Sequence, residues 1–295
     1  MKHEQPPTTY QGRALPRPDD ELVDQGLGFD VVTLLNRRQL LRAFGLGATA
    51  LGLAACGGAA SSRQTSSTGS TGTSGASTSS SGEETPQETS GPYPGDGSNG
   101  PDVLEQSGVV RSDIRSSFGS SSGTADGVPM ELELTIKDLA NDGAAYEGAA
   151  VYVWHCNRDG QYSMYSDGVQ DQNYLRGVQI ADKDGIVRFT SVFPACYSGR
   201  WPHIHFEVYP DRAGITDASS AIATSQVALP EDACTAVYAA NGYESSLGNL
   251  SQVSLTSDNV FGDDGGASQL GTVTGDVSSG YTVSLAVAVD RRTSA

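Results

Sequence analysis

Two histidines, His203 and His205, stand two positions apart in the run FPACYSGRWPHIHFEVY over residues 193 to 209, with Tyr197 six residues before the first of them. A second tyrosine, Tyr162, follows an apolar run in VYVWHCNRDGQYS over residues 151 to 163. In an extended strand residues i and i+2 face the same way, so both imidazoles share one face while Ile204, Phe206 and Val208 turn to the other. A lone H-x-H arises by chance more often than as a ligand pair; the neighbouring tyrosines change that balance. Paired imidazoles supply neutral nitrogen donors, and phenolates supply hard anionic oxygen suited to a trivalent cation. Holding a phenol of pKa about 10 ionised at neutral pH costs roughly 4 kcal/mol, which a bound Fe3+ offsets and a lone arginine does not comfortably supply. Two phenolates and two imidazoles would leave Fe3+ with a net charge of about +1 and an open position for hydroxide or a small anionic chelator.

The elements that must position these groups read as mainly β. Strict alternation appears in ELELTIK (131 to 137), HIHFEVY (203 to 209) and YTVSLAVAV (281 to 289), separated by Gly, Asp, Asn and Ser clusters. In the last run Tyr281, Val283, Leu285, Val287 and Val289 share one face, the pattern of a half-buried strand in a β-sandwich. One helix is expected over Pro230 to Ala240, with Pro230 near its first position, Glu231 and Asp232 in the first turn, and Asn241-Gly242 as the stop.

The balance of 18 Lys+Arg against 35 Asp+Glu, a formal charge of -17, argues against a nucleic-acid partner. Bases and acids cancel in the first 56 residues, so the remainder carries all of this charge. At 37% hydrophobic with 36 glycines, the chain has too little apolar material for a single 295-residue core. From Asn36 it reads NRRQLLRAFGLGATALGLAACGG: paired arginines, an apolar run too short to span a bilayer, then small residues before a cysteine. This resembles a twin-arginine signal ending in a lipobox at Leu53 to Cys56, and implies export and a lipid anchor at Cys56 on the outer face of the cell membrane. Residues 57 to 105, rich in Ser, Thr, Gly and Pro, read as a disordered tether. The expected organisation is a signal segment at 1–56, the tether at 57–105 and a β-sandwich domain at 106–295.

With Cys56 assigned to lipid, three cysteines remain in an oxidising compartment; Cys196 with Cys234 is the favoured pair, though spacing leaves the two pairings with Cys156 open. The sequon at Asn249 carries no weight beside a bacterial lipobox.

The blocks W-H-x-x-x-x-G-x-Y-S at Trp154 to Ser163 and F-P-x-x-Y-x-G-R-x-P-H-I-H-F at Phe193 to Phe206 together resemble the intradiol ring-cleavage dioxygenases, non-haem ferric enzymes that open catechols between their two hydroxyls. The resemblance extends over about Gly108 to Tyr243, taking in NYLRGVQIADKDGIVRFTSV as a strand pair. It implies a ferric centre with Tyr162 and His203 as equatorial ligands and Tyr197 and His205 as axial ones, the departing Tyr197 acting as base. It further implies that Arg200 stabilises charge developing on the ring and that Gln226 stands beside the substrate. The substrate class would be a small aromatic diol taken with O2 to a cis,cis-muconate-type diacid. Relatives with a helical dimerisation region carry it where this chain has its Ser/Gly tether, so that dimer is not expected and the oligomeric partner stays open.

Two other readings compete: a lipid-anchored β-sandwich binding module, and a zinc enzyme using His155, His203 and His205. His155 shares strand parity with Val151 and Val153, which favours a buried, hydrogen-bonded structural role. Tyr165 is a candidate for the substrate mouth, and Arg176, in the turn before a strand, reads as structural.

Overall fold

Alternation of apolar and polar side chains organises most of the chain. The computed structural model describes residues 9–10, 13–14, 82–293 and 295. Near the start, β1 (Thr9–Tyr10) and β2 (Arg13–Ala14) form a two-residue antiparallel ladder. The twin-arginine run, the lipobox and the tether up to residue 81 lie outside the described residues. Among the described residues no helix is long and apolar enough to cross a membrane.

The unit from residue 82 onward is mainly β, as expected, and consists of two sheets. In the first, β3 (Pro129–Asp138) pairs in parallel with β11 (Gly280–Val289), which pairs antiparallel with the edge strand β10 (Thr272–Asp276). The other edge of β3 is shared by β7 (Ile186–Val192) and the short β4 (Ala144–Ala145). The second sheet runs β6 (Arg176–Ile180), β5 (Ala150–Trp154), β8 (His203–Tyr209) and β9 (Ala223–Ala228), antiparallel throughout. The observed strands agree with the three alternating runs to within two residues at each end. Leu132, Leu134, Ile136, Val283 and Val287 of one sheet meet Val151, Val153, Ile204, Phe206 and Val208 of the other in one apolar core. Each such side chain contributes about 1.5–3 kcal/mol by leaving water.

The second sheet is covered on its outer face too, and here the expected organisation is corrected. The tether does not reach residue 105: residues 82–105 lie on the sandwich. Val103 and Leu104 pack with Tyr152, Trp154, Val178 and Tyr209 in a second apolar cluster, which is why every residue of β5 is buried. Hydrogen bonds hold the remainder of this strap. The Thr85 amide donates to the Ala288 carbonyl at 2.9 Å, and the Glu88 amide to that of Thr224 at 2.7 Å. The low-complexity composition persists through residue 90, but Pro92, Tyr93, Pro94, Val103 and Leu104 supply the apolar area that the Ser/Thr tract lacks.

The expected helix is observed as α1 (Glu231–Tyr238), with Pro230 at its N-cap rather than its first position, and it is followed by α2 (Ser246–Leu250). Both brace the loop that carries Tyr197. The Tyr238 hydroxyl donates to Pro194 O at 3.1 Å, Cys196 N donates to Ser246 Oγ at 3.1 Å, and Asn249 Nδ2 donates to Cys196 O at 2.8 Å. The role of Asn249 is therefore this clamp.

The favoured Cys196–Cys234 bridge is not present: Cys156, Cys196 and Cys234 are all free thiols. Each is buried, and the sulfurs of Cys156 and Cys196 face carbonyl oxygens of Ala195 and Arg200 at 3.7 and 3.5 Å. Packing and the helix clamps hold the loop without a covalent link. Burial also pushes the Cys196 thiol up to about 12, which keeps it protonated and unreactive.

On β8, two residues beyond His205, Glu207 is buried and accepts hydrogen bonds from Tyr209 Oη at 2.8 Å and Thr224 Oγ1 at 3.4 Å. Burial, with Asp96 nearby, pushes its carboxyl up to about 8 despite these two donors. The folded state thus keeps a proton that the unfolded chain releases in the ordinary carboxyl range, and stability from this group falls as pH rises towards 8. Thermal unfolding of wild type and Glu207→Gln, followed from pH 5 to 9, should show the wild-type Tm dropping relative to the variant up to about pH 8 and the gap constant beyond. Parallel curves across that range would mean that the carboxyl is ionised throughout.

Candidate active site

β8 brings His203 and His205 to the face of the second sheet that the strap covers, while Ile204 and Phe206 enter the core. Register then selects their neighbours: His205 lies opposite Gln226 on β9 and opposite Trp154 on β5. The Trp154 indole stacks on the His205 ring, centroids 4.9 Å apart and planes 6° apart, which fixes the direction of that imidazole. His203 Nδ1 lies 2.6 Å from Trp201 O, so its proton sits on Nδ1 and Nε2 offers a lone pair.

Tyr162 comes from the 155–175 loop. Asn157 Oδ1 accepts from the Asp159 and Gln161 amides there at 3.0 and 2.9 Å. Gly160 takes φ +83 in this turn, a conformation that other residues rarely adopt. Tyr197 comes from the loop braced by α1 and α2.

The four predicted ligands converge. Tyr162 Oη lies 3.4 Å from Tyr197 Oη, Tyr197 Oη lies 3.1 Å from His203 Nε2, and His203 Nε2 lies 3.1 Å from His205 Nε2. Burial pushes the Tyr197 phenol up to about 12 and the Tyr162 phenol well above its ordinary value. It pulls His203 down to about 3, and His205 well below its ordinary range. All four groups are therefore neutral as they stand. Two ring nitrogens at 3.1 Å share at most one proton between them, and His205 Nδ1 is buried with no hydrogen-bond partner. Two phenol oxygens, whose protons a cation can displace, and two imidazole nitrogens face one another there, and the two-oxygen, two-nitrogen set suits ferric iron.

Arg200 and Gln226 also stand together. Arg200 Nη2 donates to Gln226 Oε1 at 2.7 Å, and Gln226 Nε2 donates to Thr89 O in the strap at 3.0 Å. The β8–β9 register places Gln226 beside His205 and absorbs the long 210–222 connection that obscures its spacing in the sequence. Arg200 is held on its other side by Asp258, Nε to Oδ2 at 3.0 Å, in a pair whose carboxylate side chain is wholly buried.

Sequence reasoning missed Asp258 and the strap residues Thr89, Gly91 and Tyr93. Asp258 is 58 residues from Arg200 in a stretch without a motif. For the strap a signal existed, since GPYPG at 91 to 95 interrupts the Ser/Thr tract. The Tyr93 ring lies 5.1 Å from that of Tyr162.

Arg176 is structural, as expected: it is buried and donates to the carbonyls of Tyr93, Pro94 and Ser163, tying the strap to the Tyr162 loop. Tyr165 serves the same joint, its hydroxyl accepting from the Gly95 amide at 2.8 Å and donating to Asn99 Oδ1 at 2.7 Å. His155 is committed on both nitrogens, Nδ1 to Cys156 O and Nε2 to Ser191 Oγ, each at 2.8 Å. The three-histidine zinc reading therefore fails, and no group of three His, Cys, Asp or Glu among the described residues could hold a metal.

Comparison with known proteins agrees with this geometry. Residues 99–213 match the model of a family described as Dioxygenase. A 68-residue stretch is 40% identical to chlorocatechol 1,2-dioxygenase of Rhodococcus opacus, covering 23% of this chain and 26% of that one. A 72-residue stretch is 42% identical to catechol 1,2-dioxygenase of Pseudomonas sp. (strain EST1001), covering 24% and 23%. Residues 99–213 are thus similar to the intradiol ring-cleavage dioxygenases. The chain's matches span about a quarter of the length of these curated relatives. The family fold extends further than the sequence match: an intradiol ring-cleavage dioxygenase from Tetranychus urticae superposes with a TM-score of 0.57 at 21% identity, covering 71% of this chain and 95% of that one.

Gly91 sits over the His205 ring at φ +71, where an added Cβ would stand 3.3 Å from His205 Cε1. A Gly91→Ala variant should lose about 1–2 kcal/mol from the backbone conformation alone, read as a lowered Tm. An unchanged Tm would show that the strap adapts at no cost.

Proposed function

We propose that this protein opens a catechol-type aromatic diol between its hydroxyls with O2, giving a cis,cis-muconate-type diacid, with Fe3+ held by Tyr162, Tyr197, His203 and His205. The single observation that carries the reading is the convergence of two phenols and two imidazoles at 3.1–3.4 Å. Ferric iron would supply there the charge that keeps both phenols ionised, and a Lewis acid that orients the diol and lowers the pKa of its hydroxyls.

The chain's own residues divide the remaining work. Tyr162 is buried, whereas Tyr197 is half-buried on a loop whose next residues, Ser198 and Gly199, are exposed. Tyr197 is thus the phenol with room to turn outward, and its Oη is the acceptor for a proton leaving the diol. Arg200 places a permanent positive charge beside the cluster, where it stabilises negative charge building on the ring. Gln226, anchored through Nε2 to the strap, presents Oε1 to Arg200 and holds it there. Strap, Trp154 and Trp201 exclude bulk water from behind the histidines.

The paired arginines at 37 and 38 and the small-residue approach to Cys56 support export and lipid anchoring, so the diol would be met outside the cytoplasm. In a producing bacterium the wild-type protein should sediment with membranes and Cys56→Ser should move to the soluble fraction; an unchanged distribution would remove the anchor.

The test of the reaction is purification of residues 57 to 295 with iron. Phenolate-to-iron charge transfer should give a visible band, and catechol under air should yield the ring-opened acid at the rate of O2 uptake. Tyr197→Phe should lower kcat at least tenfold while keeping part of the iron. A colourless protein with stoichiometric iron, or full activity in Tyr197→Phe, would overturn the assignment.

A further inference from the structure

The buried carboxylate of Asp258 belongs to no motif, yet five hydrogen bonds meet at it. Its Oδ2 accepts from Arg200 Nε at 3.0 Å and from the Trp201 amide at 2.6 Å. Its Oδ1 lies 3.4 Å from Arg200 Nη2 and accepts from the Val260 and Phe261 amides at 2.8 and 3.1 Å. Two oxygens thus meet two nitrogens of one guanidinium, while three backbone amides hold the carboxylate in place. From the opposite side Arg200 Nη2 reaches Gln226 Oε1. A planar fork gripped this way loses its freedom to rotate.

We propose that Asp258 is a positioning residue, fixing the plane of the Arg200 guanidinium so that its charge stands beside the Tyr162–Tyr197–His203–His205 cluster. This rests on the ring-cleavage reading for its consequence in turnover, though not for the restraint itself. Without the grip, Arg200 sits on a loop next to two exposed residues and its flexible stem would carry the charge towards solvent. Burial alone would raise the Asp258 carboxyl, but the Arg200 charge holds it below its ordinary value, so the pair is ionised and mutually dependent. An aspartate that only capped the 258–261 turn would need neither the fork geometry nor the contact through Nε.

A double-mutant cycle in the iron-loaded enzyme separates the two roles. Asp258→Asn should lower kcat for catechol ten- to a hundredfold with KM changed less than threefold. In an Arg200→Gln background the same change should alter kcat less than twofold, because the residue it acts through is already gone. Equal losses in both backgrounds would make Asp258 a turn cap only and overturn the proposal. Arg200→Lys leaves the cap intact and keeps the charge but not the fork; it should lose kcat to a similar degree, and wild-type turnover in it would also overturn the proposal. A readout independent of activity is labelling of arginines by phenylglyoxal, located by peptide mass. Arg200 should label at least tenfold faster in Asp258→Asn while the other arginines keep their rates, and an unchanged Arg200 rate would refute the restraint. Should the wild-type holoenzyme leave catechol intact, the ring-cleavage reading falls while the labelling result still decides the restraint.

Discussion

Four donor atoms that burial keeps uncharged follow one another at 3.1–3.4 Å, and the surrounding structure holds them in that arrangement. Phenols driven up and imidazoles driven down by the same desolvation have no charge with which to attract each other. Neutral hydrogen bonds among them contribute only about 0.5–1.5 kcal/mol each. A sheet covered on both faces, a stacked indole, a carbonyl fixing the His203 tautomer and two short helices bracing the Tyr197 loop supply the restraint. Burial thus does two jobs: it fixes the donors, and it makes a multivalent cation the favourable way to neutralise them.

Much of this was legible in the sequence because it depends on short-range periodicity. The period-two alternation of HIHFEVY alone puts both histidines on one face, and YTVSLAVAV and ELELTIK give the two central strands of the opposing sheet. Gln226 was weaker at sequence level because the 210–222 connection hides its spacing, and only the register of β8 against β9 settles its place beside His205. Tyr165, a candidate for the substrate mouth, fastens the strap through its hydroxyl, since a ring's partners cannot be read from its neighbours in sequence.

What stayed hidden is long-range. Asp258 meets Arg200 across 58 residues, and no local pattern distinguishes it from the other acids of a chain with 35. The strap was hidden by its composition, because Ser, Thr and Gly dominate the average while five apolar residues do the packing. The expected disulfide failed for a different reason. Compartment logic says that a bridge could form, whereas a well-packed core with carbonyl partners for two of the sulfurs has no need of one.

The strap runs from one sheet to the other. Glu84 accepts from the Asp290 amide and from Thr293, Thr85 bonds to Ala288 in both directions, and only then does the chain pass Thr224 and Gln226 to reach His205. These bonds lie in series, and several use backbone groups whose strength does not depend on side-chain identity. Tension applied from the N-terminal direction would load the clasp with the C-terminal strand first and be dissipated there. The histidine pair is thereby mechanically separated from the point at which the strap enters the domain.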